Sequence, residues 1–363
     1  MQYRFLIYIS YSYAIPIGQP LEKEIKERDF VVKWFADMDE GRIGISHKNN
    51  ILTTAKSVID YSPHIILATS DSVPDFFKGL KVQVFHGFNA EKRPDQKDGF
   101  SHFRIRGFFD LYCTQGPTTT RNFKAQAKKH PHFEVIETGW PKVDPLFPLP
   151  ETEPAIIPHI MIASTFTERL SLAFSDTIFK EIERLSNTGN FVFSMVLHPK
   201  VPQHIKAKWR SLNNAHFTYY DTTDMIPLFK KANIMFADTT SAIQEFLLQK
   251  KPVVTYNHTI NHDYLINIKD EDQIESAFHK ALSYPEHLIQ NIDAYVKELH
   301  PYSDGLSSKR VIDSTITFLH QDKSHLIPKP LNLVRKIKMR NRLGYFTLKS
   351  YNKPYTISHE SNA

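Results

Sequence analysis

The feature that most constrains this chain is a rhythm. Short apolar runs of strand character alternate with helical segments, stop at a proline-rich stretch, and then start again. RFLIYIS (4–10) reads as a strand, PLEKEIKERD (20–29) as a helix and FVVKWFA (30–36) as the next strand. NILTTAKSVIDY (50–61) has apolar residues at helical spacing, HIILATS (64–70) is a strand, DSVPDFF (71–77) a short helix and KVQVF (81–85) a strand. Strands separated by helices cannot pair as hairpins. They line up in parallel, with the helices covering both faces of the sheet.

From Trp140 to Pro158 the chain is too rich in proline for helix or sheet interior, and it reads as an extended linker with residues 148–158 at its centre. Beyond it come the strands HIMIAS (159–164), FVFSMVL (191–197), FTYYD (217–221), NIMFAD (233–238) and PVVTY (252–256). Between them lie the helices SDTIFKEIERLSNT (175–188), DMIPLFKKA (224–232) and SAIQEFLLQKK (241–251). The expectation is an α/β chain of GT-B-like layout, two doubly wound Rossmann-like domains facing a central cleft. The first spans residues 1–147 and would bind the acceptor. The second spans 159–320 and would bind the nucleotide, and a basic tail occupies 321–363. Ligands of open α/β sheets lie at the carboxyl ends of the strands, so polar residues there are the candidates for chemistry.

Bulk properties agree with two soluble cores: 363 residues, 41% hydrophobic and 23% charged. The single cysteine, Cys113, excludes an intramolecular disulfide and suits a reducing compartment. The opening MQYRFLIYISYSYAIPIG has no small-residue cleavage pattern and reads as a strand, so a cytoplasmic or membrane-surface location is expected.

Four segments carry candidate chemistry. In NIMFADTTSAIQEFLLQKKPVVTY a buried strand ends at Asp238, and the hydroxyls of Thr239, Thr240 and Ser241 precede a helix whose first amides are unpaired. That turn can hold phosphate oxygens; Ser, Thr and Asp are also ordinary helix caps. Glu245, two turns on, could take ribose hydroxyls. His198 in FVFSMVLHPK and His86 in LKVQVFHGFNA both end apolar strands, where histidine can donate to a phosphate, accept a proton, or merely close a loop. Gly87 lets backbone or ligand come close. In TGWPKVDPLF (138–147), Gly139, Pro141, Lys142 and Asp144 form a turn near the expected cleft. His258 and His262 are four apart, but the Asn and Thr around them point to a loop. With no cysteine pair, no metal site is expected.

Taken in order, these segments resemble the CDP-glycerol glycerophosphotransferase family of teichoic acid and capsule synthesis. The resemblance rests on His-Gly after a strand, G-W-P-K-x-D, the strand with STFT, His-Pro, D-T-T-S-x-x-x-E-F followed by Lys-Pro, and D-G-x-x-S at 304–308. It covers residues from about 80 to 315. The family usually has Trp before the His-Gly pair and Thr after it, where Phe85 and Phe88 stand here; its Asp-Tyr-Ser-Ser is Asp238-Thr239-Thr240-Ser241.

The resemblance implies transfer of a polyol phosphate from a CDP-activated donor to a glycan or lipid-linked acceptor, with CMP released and no cofactor. It makes His86 the base on the acceptor and Asp110 an acidic partner on the next strand. His198, Thr165 and the Thr239–Ser241 turn would hold the donor phosphates, and Asp304 and Gly305 would lie where a returning helix closes the fold. A UDP-sugar transferase or UDP-N-acetylglucosamine 2-epimerase is the alternative. Those enzymes carry an acidic pair six and seven residues after the Asp, where this chain has Gln244 and Glu245. A non-enzymatic membrane-docking scaffold is a third class.

The tail adds one more reading. Between Lys323 and Lys353 there are nine Lys or Arg and no Asp or Glu. IPKPLNLVRKIKMRNRLGYF (327–346) sets Leu331, Leu333, Val334, Ile337, Met339 and Leu343 among them. It is either an interfacial helix on anionic lipid or a basic helix packed on the first domain. Nucleic acid is not an expected partner, since no basic, aromatic-studded face is evident in the core.

Overall fold

The computed structural model describes residues 1–88, 103–149 and 156–357. They form two compact units. One holds residues 1–87, 103–145 and 300–357, and the other Phe88, 146–149 and 156–299.

The first unit is built on a six-stranded parallel sheet: β1 (Arg4–Ile9), β2 (Val31–Ala36), β3 (Ile65–Ala68), β4 (Leu80–Gln83), β5 (Leu111–Thr114) and β6 (Glu134–Glu137). Their order is β2-β1-β3-β4-β5-β6. Residues Phe5 to Ile9 are wholly buried, as strands covered on both faces must be. The second unit repeats the plan with β7 (His159–Ser164), β8 (Val192–Leu197), β9 (Phe217–Tyr220), β10 (Ile234–Ala237), β11 (Val253–Tyr256) and β12 (Ile266–Ile268). Its order is β12-β11-β10-β7-β8-β9, again all parallel. Read from the first strand of each unit, the chain reverses direction between β1 and β3 and between β7 and β10. Those reversals are the topological switch points, where adjacent loops diverge and leave a crevice.

Several expectations need correction. DSVPDFF is a turn, because Pro74 interrupts it and Val73, Phe76 and Phe77 are drawn into the core cluster under β3. The helix in NILTTAKSVIDY is confined to Ala55–Tyr61, starting where Thr54 and Ser57 form a reciprocal cap. The stretch after Trp140 is not extended. Pro141–Leu146 is a 3₁₀ turn, with Trp140, Val143 and Leu146 wholly buried. The middle of the expected linker lies outside the described residues.

The domain boundary at 320 also moves. The chain returns to the first unit at His300, and Asp144 explains why. Its two carboxylate oxygens accept from the backbone amides of Ser307 (2.8 Å) and Ser308 (2.6 Å), capping the helix Ser307–His320.

The basic tail belongs to this unit too, and it is docked. The helix Leu333–Leu343 buries Lys336, Met339 and Arg340 and leaves Lys338 exposed. Arg340 grips Asp75 with both terminal nitrogens (2.8 and 3.1 Å), Arg342 pairs with Asp37 (2.8 Å), and Lys329 pairs with the buried Asp110. Burial alone would raise the Asp75 carboxyl, but Arg340 and the Ser350 hydroxyl outweigh it and hold it below the usual range. Among the described residues no helix is long and apolar enough to cross a membrane.

Candidate active site

In the second unit Thr165, Asp238, Thr239, Thr240 and Ser241 lie at the switch point, just beyond β7 and β10. β7 ends at Ser164 and β10 at Ala237, and Asp238 bridges them. Its carboxylate accepts from the Ser164 hydroxyl (2.5 Å), the Thr165 amide (3.0 Å) and the Leu172 amide (3.1 Å). Asp238 is fully buried. Burial raises its pKa, while these hydrogen bonds and one from the Thr239 amide lower it. The expectation that Asp238 contacts the donor is therefore corrected: it is the clasp that sets the two loops.

The loops themselves face outward. Thr240 and Ser241 are half-buried, and Ser241, at the N-cap of the helix Ala242–Leu247, makes no side-chain capping bond. The helix is not amphipathic, since every residue from Ala242 to Leu247 is buried, Glu245 included. Thr165 and Thr239 are mostly buried beside the clasp.

His198 follows β8, next to β7. Its Nδ1 accepts from the Lys200 amide at 3.1 Å, so the neutral ring carries its proton on Nε2. The tautomer is set by the loop's own backbone. The Phe166 ring, 43% exposed, lies 4.6 Å from the His198 ring and under the Lys200 ammonium at 5.5 Å. Phe166 and Lys200 were not singled out from sequence; the aromatic inside STFT was the signal available.

In the first unit His86 stands beyond the carboxyl end of β4, its side chain 47% exposed. Phe85 before it takes a left-handed backbone (φ 59°), which turns the chain out of the sheet. Sequence reasoning missed what surrounds it. His86 Nδ1 is 4.0 Å from Asp71 Oδ1, and Asp71 is fixed by Gln83 Nε2 (3.1 Å) and Arg106 (2.9 Å). Tyr13 lies 6.1 Å away, ring to ring, and burial pushes its hydroxyl up to about 12, so it remains protonated. At the β1/β3 switch point the hydroxyls of Ser10 and Ser70 are hydrogen-bonded at 2.7 Å. Only the strand order identifies Ser10, Ser70 and Asp71, because nothing in their local sequence distinguishes them.

Asp110 is not among these groups. It precedes β5, so it lies toward the amino end of the sheet, and it is wholly buried. One oxygen accepts from the Lys81 amide (2.8 Å) and the other is paired to Lys329. That is a structural anchor for the tail, and its expected place beside His86 as an acidic catalytic partner is corrected.

A Cβ on Gly87 would meet open space, whereas one on Gly139 (φ 81°) would lie 2.5 Å from Ser307 Oγ. Gly139 is thus required where the GWPKVD turn meets the returning helix. Lys142 is buried, 5.3 Å above the Trp140 ring, so Gly139, Pro141, Lys142 and Asp144 hold the fold together. Among the described residues no three His, Cys, Asp or Glu side chains form a metal-holding group.

No family model matches this sequence, and no curated protein matches it. Solved structures do. The wall teichoic acid polymerase TagF is similar with a TM-score of 0.65 at 12% identity, over 86% of this chain and 88% of that one. A UDP-GlcNAc 2-epimerase from Neisseria meningitidis, bound to UDP-GlcNAc, is similar with a TM-score of 0.57 at 16% identity, over 86% and 99%. A putative UDP-N-acetylglucosamine 2-epimerase from Listeria monocytogenes gives 0.59 at 14%, over 89% and 98%. The chain has the GT-B fold these proteins share.

Proposed function

We propose that this protein transfers glycerol phosphate, or a similar polyol phosphate, from a CDP-activated donor to a hydroxyl of a glycan or lipid-linked acceptor. CMP is released, and the reaction serves cell-surface polysaccharide synthesis at the inner face of the membrane. One observation carries the reading. Beyond the carboxyl ends of β8 and β10 stand half-buried groups able to donate hydrogen bonds, His198 with its proton on Nε2 and the hydroxyls of Thr240 and Ser241, while the Asp238 carboxylate is turned into the core. Such a surface suits a diphosphate.

The first unit then supplies the acceptor side. His86 Nε2 takes the proton of the acceptor hydroxyl as its oxygen attacks the phosphorus that carries the polyol. Asp71, beside Nδ1, stabilises the imidazolium so formed. The P–O bond to CMP breaks, and the charge left on the departing phosphate is met by His198 and the hydroxyl turn. General-base help of this kind is worth ~10²–10⁴-fold, and the remainder comes from positioning and charge stabilisation.

Support for a cytidine donor comes from TagF, one structure of which was soaked with CDPG. The epimerases of the same fold make a UDP-sugar the competing donor. Against it, the position before Glu245 is Gln244, whose amide donates to the Tyr295 hydroxyl (3.0 Å), so the acidic pair is missing.

The test is a donor panel. CDP-glycerol, CDP-ribitol and UDP-GlcNAc are offered with an acceptor glycan, and nucleotide release is measured for the wild type, His198→Gln and His198→Ala. The reading expects CMP release, partly kept by Gln, which can still donate, and reduced about a hundredfold by Ala. Turnover of UDP-GlcNAc with neither CDP-polyol used would replace it with the sugar-nucleotide reading.

A further inference from the structure

The tail helix packs on the first unit through cations as well as an apolar residue. Lys336 bonds Ser350 (2.9 Å) and Asn352 (2.6 Å), Arg340 binds Asp75, Met339 is buried between them, and the part-exposed Arg342 binds Asp37. Its outer side shows Leu333, Val334 and Ile337 beside Lys338 and Asn341, and exposed apolar residues flank it on both sides. Leu331, Leu333, Val334, Ile337, Phe346 and Leu348 are each more than half exposed. Soluble proteins seldom leave such a ridge uncovered unless something binds it.

We propose that this ridge is a docking surface for an anionic lipid bilayer, with Leu333, Val334, Ile337 and Phe346 entering the headgroup–acyl boundary. Charge complementarity selects this occupant. Lys338 and Lys349 are exposed beside the ridge, and no Asp or Glu occurs from Lys323 to Lys353. Interfacial helices bind through buried apolar area together with attraction between basic residues and anionic headgroups. An apolar protein partner would gain nothing from the lysines.

The inward ion pairs give the surface a fixed orientation. Arg342 reaches Asp37, just beyond the carboxyl end of β2, which is the end of the sheet where His86 stands beyond β4.

Vesicle flotation of the full chain tests the surface. The wild type is expected to float with vesicles of phosphatidylglycerol and phosphatidylethanolamine, and far less with phosphatidylcholine alone. Leu333→Ser/Val334→Ser/Ile337→Ser, which touches only exposed side chains, should weaken flotation about tenfold or more. Lys338→Glu/Lys349→Glu should weaken it for the anionic vesicles about tenfold.

Absence of wild-type flotation, or equal flotation of both variants, would overturn the proposal. So would a wild-type dimer in sedimentation that the triple-serine variant dissociates, because the ridge would then join two copies. CMP release to a water-soluble acceptor, measured on the same variants, separates this result from the enzymatic one. It should be unchanged whether or not the ridge binds lipid.

Discussion

His198 and His86 end comparable strands in the two sheets, yet each ring is oriented differently. His198 is set by a backbone amide of its own loop, Lys200, which fixes its neutral tautomer. His86 has Asp71 at 4.0 Å, a partner held by Gln83 and Arg106. The first arrangement suits a hydrogen-bond donor through Nε2. The second suits a base, because Asp71 can hold Nδ1–H and leave Nε2 to accept a proton. Replacing Asp71 with Asn should therefore lower kcat by about tenfold to a hundredfold and leave the KM for CDP-glycerol unchanged. If the KM for the donor rises while kcat holds, Asp71 belongs to donor binding and not to the base. Asp71 lies in ATSDSVP, which as sequence reads only as a turn. Its role depends on β3 lying next to β4.

Among the elements, two junctions of the first unit need a neutral histidine: the GWPKVD turn against the returning chain, and β1 against the loop before β3. Trp140 N donates to His300 Nε2 at 3.0 Å, and Arg4 N donates to His64 Nδ1 at 3.1 Å; either ring must be neutral to accept. Burial pushes both histidines down to about 4, against an ordinary value of 6.5. Between those values the unfolded chain binds more protons than the folded one. Stability is thus complete above pH 6.5, falls as the pH drops, and levels off below 4. For His300 the loss reaches about 3 kcal/mol. Thermal midpoints measured from pH 7 to 4 should decline accordingly. In His300→Gln, whose amide oxygen accepts from Trp140 without titrating, about one fewer proton should be taken up on unfolding near pH 5. An unchanged pH dependence would show that His300 is not neutral in the folded state.

At the scale of the whole molecule, much of the architecture could be read from alternating periods. Continuous apolar runs such as FLIYI and FVFSMVL, short and rich in β-branched and aromatic residues, read as strands buried on both faces, and the helical segments between them favour parallel pairing. Three things could not be read this way. The order of strands is set by packing, so the switch points, and with them Ser10, Ser70 and Asp71, were invisible. The return of the chain at His300 depends on Asp144 capping a helix more than 160 residues away. The tail reads from sequence either as an interfacial helix or as a basic helix packed on the first domain; it packs there, but the partners that hold it, Asp37, Asp75 and Asp110, are scattered along the chain and carry no local signal. Of the residues singled out, Asp110 and Asp238 turned out to be buried anchors. A carboxylate next to a motif has the same letter whether it points into the core or out of it.

The central claim is that His86 serves the acceptor while the second sheet serves the donor. It is tested most directly by CMP release from saturating CDP-glycerol, with and without acceptor, in wild type and His86→Ala. Acceptor-dependent release is expected to fall at least about a hundredfold in His86→Ala, with donor binding by the variant unchanged. Acceptor-dependent release at the wild-type rate in His86→Ala would contradict it.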